Sequence, residues 1–405
     1  MIILGIETSC DETAVCVVKA TGGLESPSFS VLGNGLFSQV ALHAQYGGVY
    51  PNLAKREHGK NLPPLLQKCL QEANLWQSNT SDRNEEKSSI SADTWVKIKE
   101  ILAKEHGVFE VFKASLEHVE RPDINLITVT AGPGLEPALW VGISFAQALG
   151  LLWNIPVLPT NHMEGHIASV LLGKPEEFKI QNSKFKNDAN AVQFPALALL
   201  ISGGHTELVE IQNWGQYKKI GQTRDDAVGE AFDKVARMLS LPYPGGPEIS
   251  KRAHIAREKN LPRVFTLPRP MIHSHDFDFS FSGLKTSVLY TLKEHGAITE
   301  DEAADMCREF ENAVTEVLIS KTSKALEEQG AHTLIIAGGV VANTHIRESF
   351  TRMIEEKFPN VTLHIPTKDM STDNALMIAC AGYIDYLLHP KKVGGKIKAK
   401  GNMSF

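Results

Sequence analysis

The clearest guide to the fold is the segment MIILGIETSCDETAVCVV, residues 1–18. An apolar run leads into the polar residues 7–13 and is followed by a second apolar run, the pattern of two strands joined by a turn. Residues 196–211, ALALLISGGHTELVEI, repeat this pattern. Aligning Ile6 with Ile201 places the two segments 195 positions apart. The sequence therefore predicts two related hairpins, one in each half of the chain.

A second pair of matching segments follows the hairpins. Residues 127–131 form an apolar strand that leads into Gly-Pro-Gly (132–134), and residues 334–337 lead into Gly-Gly (338–339). A helical pattern and another strand come next in both halves, at a spacing of about 206 residues. Nearly constant spacing favours a duplicated α/β unit over a chance likeness between apolar strands. Because ligands of open α/β sheets bind at the carboxyl ends of strands, duplication predicts two sets of loops that face one cleft.

These landmarks divide the chain into an N-terminal lobe of residues 1–195, a C-terminal lobe of residues 196–385 and a basic tail of residues 386–405. We expect the tail to be solvated. Residues 78–120 are predicted to be an insertion in the first lobe, with a polar loop over residues 78–91 and then one or two helices.

Composition limits the class of protein. The chain has 405 residues, which corresponds to two or three domains, and its 42% hydrophobic and 22% charged residues are typical of a globular protein. A formal net charge of -6 excludes a basic field over the whole chain, so nucleic acid would need a local patch or a partner. We find no apolar run of membrane-spanning length and no signal peptide. The five cysteines are scattered, which favours reduced thiols in the cytoplasm.

The segment NHMEGH, residues 161–166, is the sharpest local sign of chemistry. In a helix, His162 and His166 share one face, as two metal ligands must. A zinc protease carries its glutamate directly after the first histidine, where this chain has Met163. The duplication places Asp373 at the corresponding position of the second half, where it could approach the histidines as a third ligand. The alternative is that Asp373 caps a helix.

Glycine-containing turns are the second group of candidate ligand-binding elements. Ser202-Gly203-Gly204 and residues 337–343 join strands to the segments that follow, and such turns let backbone N–H groups approach phosphate or carboxylate oxygens. Each could also be an ordinary turn. Acidic residues recur at helical spacing in the next helix (Asp226, Glu230, Asp233), before the turn at residues 244–247. That stripe is either a solvated face or a site for ligand hydroxyls.

Taken in order, these motifs resemble one family, the TsaD family of tRNA threonylcarbamoyladenosine transferases. The resemblance covers residues 1 to about 385 apart from the insertion. It is carried by GIETSCDET (5–13), AGPGL (131–135), NHMEGH (161–166), SGGHT (202–206), DD with EAFDK (225–234), YPGGP (243–247), FSFSGLKT (279–286), GGV with Asn343, and TDN (372–374).

The resemblance implies a duplicated actin-like α/β fold, shared with sugar kinases and Hsp70, with two lobes around a central cleft. It implies transfer of a threonylcarbamoyl group from threonylcarbamoyl-AMP to N6 of the adenosine beside the tRNA anticodon. His162, His166 and Asp373 match the family's metal ligands, with iron(II) as the first choice and zinc as the alternative. The substrate-binding positions that match are Leu200, Ile201, Ser202, Gly203, Gly204, Asp233, Gly246 and Asn343.

The same resemblance implies threonylcarbamoyl-AMP, or ATP or AMP, as nucleotide ligand. It implies tRNA and accessory proteins of the TsaB and TsaE type as partners in the cytoplasm, no membrane, and allows a dimer. Asp11 is a candidate either for the base or for a residue that orients water. The competing hypotheses are a kinase or ATPase of the actin-like superfamily, which needs no histidine pair, and a nonenzymatic scaffold of a modification complex. A protease comes last because its base is missing.

Overall fold

The computed structural model describes residues 1–77, 90–105, 107–172 and 192–405. These residues form two compact units. The first contains Met1–Ala191 and Asp373–Phe405, and the second contains Val192–Thr372. The predicted polar loop at 78–91 lies outside the described residues except for its last two positions.

The described part of the first unit is built on a five-stranded mixed sheet. Its strands are β1 (Ile2–Glu7), β2 (Glu12–Thr21), β3 (Ser28–Ser38), β4 (Leu126–Gly132) and β5 (Val157–Asn161), in the order β3-β2-β1-β4-β5. β2 is antiparallel to both β1 and β3, whereas β4 is parallel to β1 and to β5. The central strand β1 is almost fully buried, which explains its continuous apolar run.

Helices surround this sheet, and two of them lie within residues 78–120, the range predicted to be an insertion. The helices are α1 (Val40–Ala44), α2 (Pro51–Glu72), α3 (Ala92–Ile101), α4 (Val108–Leu116), α5 (Glu136–Trp153) and α6 (His162–Ala168). α3 and α4 occur where helical spacing was predicted. The ring of Phe112 in α4 lies 5.5 Å from that of Phe145 in α5, edge to face. Helix α4 therefore contributes to the hydrophobic core of the first unit.

The described part of the second unit repeats the sheet. Its strands are β6 (Ala196–Ile201), β7 (Thr206–Asn213), β8 (Gln216–Gln222), β9 (Thr333–Ala337) and β10 (Thr362–His364), in the order β8-β7-β6-β9-β10. The antiparallel and parallel pairings match those of the first unit strand by strand. The duplicated α/β fold predicted from the sequence is confirmed.

The second unit carries six helices among its described residues, and the longest runs through its core. They are α7 (Val228–Met238), α8 (Gly245–Glu258), α9 (Ser282–His295), α10 (Glu300–Gln329), α11 (Thr344–Lys357) and α12 (Lys368–Ser371). A capping box of Thr299 and Glu302 begins α10. Across the described residues of the chain, no helix combines the length and apolarity needed to cross a membrane.

The end of the chain returns to the first unit, which differs from the predicted lobe of residues 196–385. Helix α13 (Ala375–Leu388) is buried on nearly all sides and packs against β1, β2 and β5. Gly5 makes this close approach feasible, because a Cβ there would lie 2.6 Å from the carbonyl oxygen of Ala375. The apolar side chains of this helix are more stable when they are buried against the first sheet than when they are exposed to water.

The lysines of the basic tail are exposed, as we expected for a solvated segment, but part of its backbone and Ile397 pack against the first unit. Ile397 is 5% exposed within the core of the first unit. The N–H of Lys400 donates to the carbonyl oxygen of Ala131 at 2.8 Å, and the N–H of Gly134 donates to that of Gly401 at 3.1 Å. The lysines of the tail hid this role, because their charge indicates exposure while the backbone between them forms the contacts.

Candidate metal centre and ligand pocket

The histidine pair lies where strand β5 passes into helix α6. Asn161 ends the strand and caps the helix, since its Oδ1 accepts hydrogen bonds from the N–H groups of Met163 at 2.8 Å and Glu164 at 3.4 Å. One turn apart, His162 and His166 then face the same side with their ring centroids 4.7 Å apart. Both side chains are buried.

Asp373 completes the cluster from the other end of the first unit's sequence. Its Oδ1 lies 3.4 Å from Nε2 of His162 and 3.3 Å from Nε2 of His166. One ligand atom from each of the three residues lies within 4.8 Å of the others. The helix-cap alternative for Asp373 is wrong, because Asn374 caps α13 by accepting from the N–H of Met377 at 3.0 Å.

The donor set fits a divalent metal. Neither ring nitrogen of His166, which is 1% exposed, makes a hydrogen bond of regular geometry within the described chain. A buried imidazole whose nitrogens lack a well-formed hydrogen bond, and whose Nε2 has only the carboxylate of Asp373 beside it, is suited to coordinate a metal. Two imidazoles and one carboxylate suit zinc or iron(II) and leave positions open for further ligands.

Glu7 orients the first histidine, and sequence reasoning missed it. Glu7 is fully buried at the end of β1, and its Oε2 lies 3.1 Å from Nδ1 of His162. The same oxygen accepts from Thr130 Oγ1 at 2.6 Å, and Oε1 accepts from the N–H of Ser9. A carboxylate at Nδ1 holds the proton there and leaves Nε2 as the ligand atom. The one feature of the sequence that could have identified Glu7 is its position as an acidic residue at the end of an apolar strand.

The charges of this cluster act strongly on one another. Burial lowers the pKa of His162, but the negative charges of Asp373 and Glu7 outweigh burial and place the pKa well above its usual value. Burial raises the pKa of Asp373, but the positive charge of His162 and the hydrogen bonds from His162 and His166 together outweigh burial, so that this pKa lies well below its usual range. Without a metal the cluster is thus an ion pair, and a metal would replace the proton of the imidazole.

The turn between β1 and β2 adds two carboxyl groups beside the cluster. Asp11 is 8% exposed, and Glu12 Oε1 accepts a hydrogen bond from Ser38 Oγ at 3.1 Å. Burial, and then the negative charges of Asp11 and Asp373, raise the pKa of Glu12 to about 9. Glu12 is therefore a neutral acid at pH 7, a property that the sequence pattern did not reveal.

A cavity of about 600 Å³ lies within the second unit. Four of the predicted substrate-binding residues line it, namely Gly203, Asp233, Gly246 and Asn343. Leu200 and Ile201 are buried in β6, and Gly204 lies in the turn beyond it. The Ser202 carbonyl accepts from the N–H of Gly229, a cavity residue, at 3.2 Å. The other four predicted residues therefore shape the turn behind Gly203 rather than the cavity surface, namely Leu200, Ile201, Ser202 and Gly204.

Close approach between helices α7 and α8 forms one wall of the cavity. Asp233 Oδ1 accepts from the N–H of Gly245 at 2.7 Å. A Cβ on Gly245 would lie 2.4 Å from the Cβ of Ala236, so the contact requires glycine. The rest of the predicted acidic stripe is paired, because Lys234 contacts Asp226 at 2.7 Å and Glu230 at 2.8 Å.

Basic side chains, which the sequence analysis did not select, line the same cavity. They are Lys251, His254, Arg257, His345 and Lys368. Burial, together with the nearby charges of Arg257 and Arg352, lowers the pKa of His345 to about 4, so this imidazole is neutral at pH 7. Glycine turns, the carboxylate of Asp233 and several cations thus line one cavity, an arrangement that suits an anionic ligand with hydroxyl groups.

The FSFSGLKT motif has a structural role in this unit. Asp225 accepts from the N–H groups of Phe281 at 2.8 Å and Ser282 at 3.1 Å at the start of α9. Lys285 lies 3.1 Å from Asp226. The motif therefore holds α9 against the loop before α7.

Comparison with known proteins identifies the family. The model of the TsaD family, tRNA N6-adenosine threonylcarbamoyltransferase, matches residues 30–81 and 108–380. A protein of that name from Polynucleobacter asymbioticus is 40% identical over 96% of this chain and 93% of its own length. Another from Chromobacterium violaceum is 38% identical over 100% and 98%, respectively. A solved full-length HypF aligns with 98% of this chain and 47% of its own at 10% identity, with a TM-score of 0.49.

The family model matches most of the chain, and relatives of that name are about 40% identical over almost their full length. Together these matches assign the chain to a family. The chain belongs to the TsaD family and is a transferase of tRNA threonylcarbamoyladenosine modification.

Proposed function

We propose that the protein transfers the threonylcarbamoyl group of threonylcarbamoyl-AMP to N6 of the adenosine beside the tRNA anticodon, using both sites described above. The convergence of His162, His166 and Asp373 on one point carries this proposal, because Asp373, just before α13, comes some two hundred positions after the two histidines of α6. A kinase or ATPase of the same superfamily has no use for such a cluster.

The three residues would hold one divalent metal, iron(II) or zinc, with Glu7 fixing the ring of His162. When bound, such a metal supplies a Lewis acid that neutralises charge on oxygen atoms of the donor. In the transfer, a bond forms between N6 and the carbamoyl carbon while the bond from that carbon to the phosphate oxygen breaks, and AMP leaves. Asp11, a buried carboxylate in the turn between β1 and β2, accepts the proton lost from N6.

The cavity of the second unit would hold the nucleotide part of the donor, as it would ATP or AMP. Gly203 and Gly246 leave the backbone open to phosphate oxygens, and the carboxylate of Asp233 accepts hydrogen bonds from ribose hydroxyls. Its volume of about 600 Å³ lies in the range of small-ligand pockets. The mixed anhydride already has a good leaving group, so positioning supplies much of the rate and no covalent nucleophile is needed.

The protein would act in the cytoplasm with tRNA and accessory proteins of the TsaB and TsaE type. With a net charge of -6, tRNA must be held by a local basic surface or by a partner. Exposed apolar side chains around β3 and α1 support a protein contact in the first unit, namely Leu36, Phe37, Leu42, Tyr46 and Tyr50.

The test is modification of unmodified tRNA with synthetic threonylcarbamoyl-AMP, with and without the accessory proteins, followed by mass analysis of the nucleosides. We expect threonylcarbamoyladenosine from the wild type and its loss, together with the metal, from His166→Ala. His118→Ala changes a histidine whose side chain is 75% exposed and should keep both. Full activity of His166→Ala with a normal metal content would refute the metal site.

A further inference from the structure

Glu311 is a fully buried carboxylate in the wall of the cavity, and no motif of the sequence pointed to it. It lies on α10, and its carboxylate contacts two other residues of the wall, Asn343 and Arg257. Asn343 Nδ2 donates to Glu311 Oε1 at 2.6 Å, and Arg257 Nη1 donates to Glu311 Oε2. Each carboxylate oxygen thus has its own partner.

Both partners offer only donors to this carboxylate. A guanidinium cannot accept a hydrogen bond, and the amide group of Asn343 presents its nitrogen. A carboxylate can accept from both at once, whereas a glutamine side chain, with one oxygen and one nitrogen, can satisfy only one of them. The two-sided contact therefore requires an acid at position 311.

The other end of the Asn343 amide is fixed as well. Asn343 is the N-cap of α11, and its Oδ1 accepts from the N–H of Ile346 at 3.0 Å. Rotating the amide by half a turn would place its oxygen against Glu311 and its N–H groups against the N–H of Ile346. Glu311 and the helix end therefore hold one amide orientation, which leaves a single N–H of Asn343 for another acceptor.

We propose that Glu311 is a positioning residue for nucleotide binding, acting by holding Asn343 so that this N–H points to a hydrogen-bond acceptor of an adenine nucleotide. The inference rests on the proposed function, in which the cavity binds the nucleotide part of the donor. It adds a residue that acts through Asn343, and it specifies the chemistry that Asn343 offers.

The experiment measures the dissociation constant of AMP by calorimetry for the full chain in four forms: wild type, Glu311→Gln, Asn343→Ser and the double variant. Serine keeps the helix cap but lacks the amide. We expect each single variant to weaken AMP binding about five- to tenfold, the usual value of one hydrogen bond. We expect the double variant to be no weaker than Asn343→Ser alone, because Glu311 acts through Asn343.

Glu309→Gln is the matched control. Glu309 lies on the same helix and binds Arg269 at 2.5 Å, but it is not part of the cavity wall. Its replacement should leave AMP binding unchanged. If Glu311→Gln does not fold, Glu311→Asp keeps the charge opposite Arg257 and is too short to reach both partners, so the same loss is expected.

The outcomes separate the two ideas. AMP binding by the wild type with an unchanged constant in the Glu311 variants, or with losses that add in the double variant, overturns the positioning role and leaves the proposed function standing. A wild type that does not bind AMP overturns the nucleotide site, and the positioning role with it.

Discussion

Replacing Glu7 by glutamine should weaken metal binding without changing any metal ligand. In the wild type, Oε1 accepts from the N–H of Ser9 and Oε2 lies 3.1 Å from Nδ1 of His162. A glutamine that keeps its oxygen toward Ser9 turns its NH₂ group toward His162. The imidazole then carries its proton on Nε2, the atom that should bind the metal. The reversed amide places N–H against N–H at Ser9 instead.

In either orientation of the amide, the side chain at position 7, which is 0% exposed, loses one of its two interactions, with Ser9 or with His162. Loss of such an outer partner typically lowers metal affinity about 10- to 100-fold, or about 1.4 to 2.7 kcal/mol. The assay is competition for zinc against a chromophoric chelator, with thermal unfolding of the metal-free protein as a check on folding. Glu105→Gln removes another buried carboxylate of the first unit, one paired with Lys55 at 3.1 Å, and should keep wild-type affinity.

An unchanged zinc affinity in a folded Glu7→Gln variant would refute the orienting role of Glu7. A wild type without zinc or iron affinity would instead refute the metal site itself.

Three further predictions concern stability. Gly382→Ala places a Cβ 2.2 Å from Cγ2 of Thr128, so we expect urea unfolding to show about 1 to 3 kcal/mol of destabilisation. Gly395→Ala is the control, because its Cβ would have no neighbour closer than 3.8 Å, and it should unfold like the wild type. Ile397→Ala should cost about 2 to 5 kcal/mol because Ile397 is 5% exposed, and a wild-type melting temperature would contradict the packing of the tail. Burial lowers the pKa of His58 to about 4, so the unfolded chain takes up a proton below its own value of 6.5 while the folded chain does not. The contribution of His58 to stability is thus complete above pH 6.5, and up to about 3 kcal/mol of it is lost as the pH falls to 4. His58→Gln should flatten the dependence of the unfolding free energy on pH between these two values. An unaltered slope in the variant would contradict the lowered pKa of His58.

The hairpins and crossovers were predictable because their signals are local. Continuous apolar runs such as those of β1 and β6 indicate buried central strands, and the turns between them are polar in both halves. The strands β3 and β8 were not predicted. Both lie at sheet edges and are only partly buried, so their sequences lack a continuous apolar run.

The residues proposed to bind the metal divide in the same way. The spacing of His162 and His166 follows from helix geometry and is visible in the sequence. That Asp373 joins them, and does not cap α13, depends on the packing of that helix against the first sheet. Nothing near residue 373 encodes the distance to a histidine some two hundred residues earlier.

Local pattern alone therefore establishes the duplicated α/β class, the histidine pair and the glycine turns, because each depends on neighbours within a few positions. Only the folded chain shows that Glu7 faces His162 and that Glu311 holds Asn343. Lone carboxylates carry no periodic signal. Their roles arise from hydrogen bonds across the sheet or between elements, and burial makes those bonds specific because an unpaired charge there would be too costly.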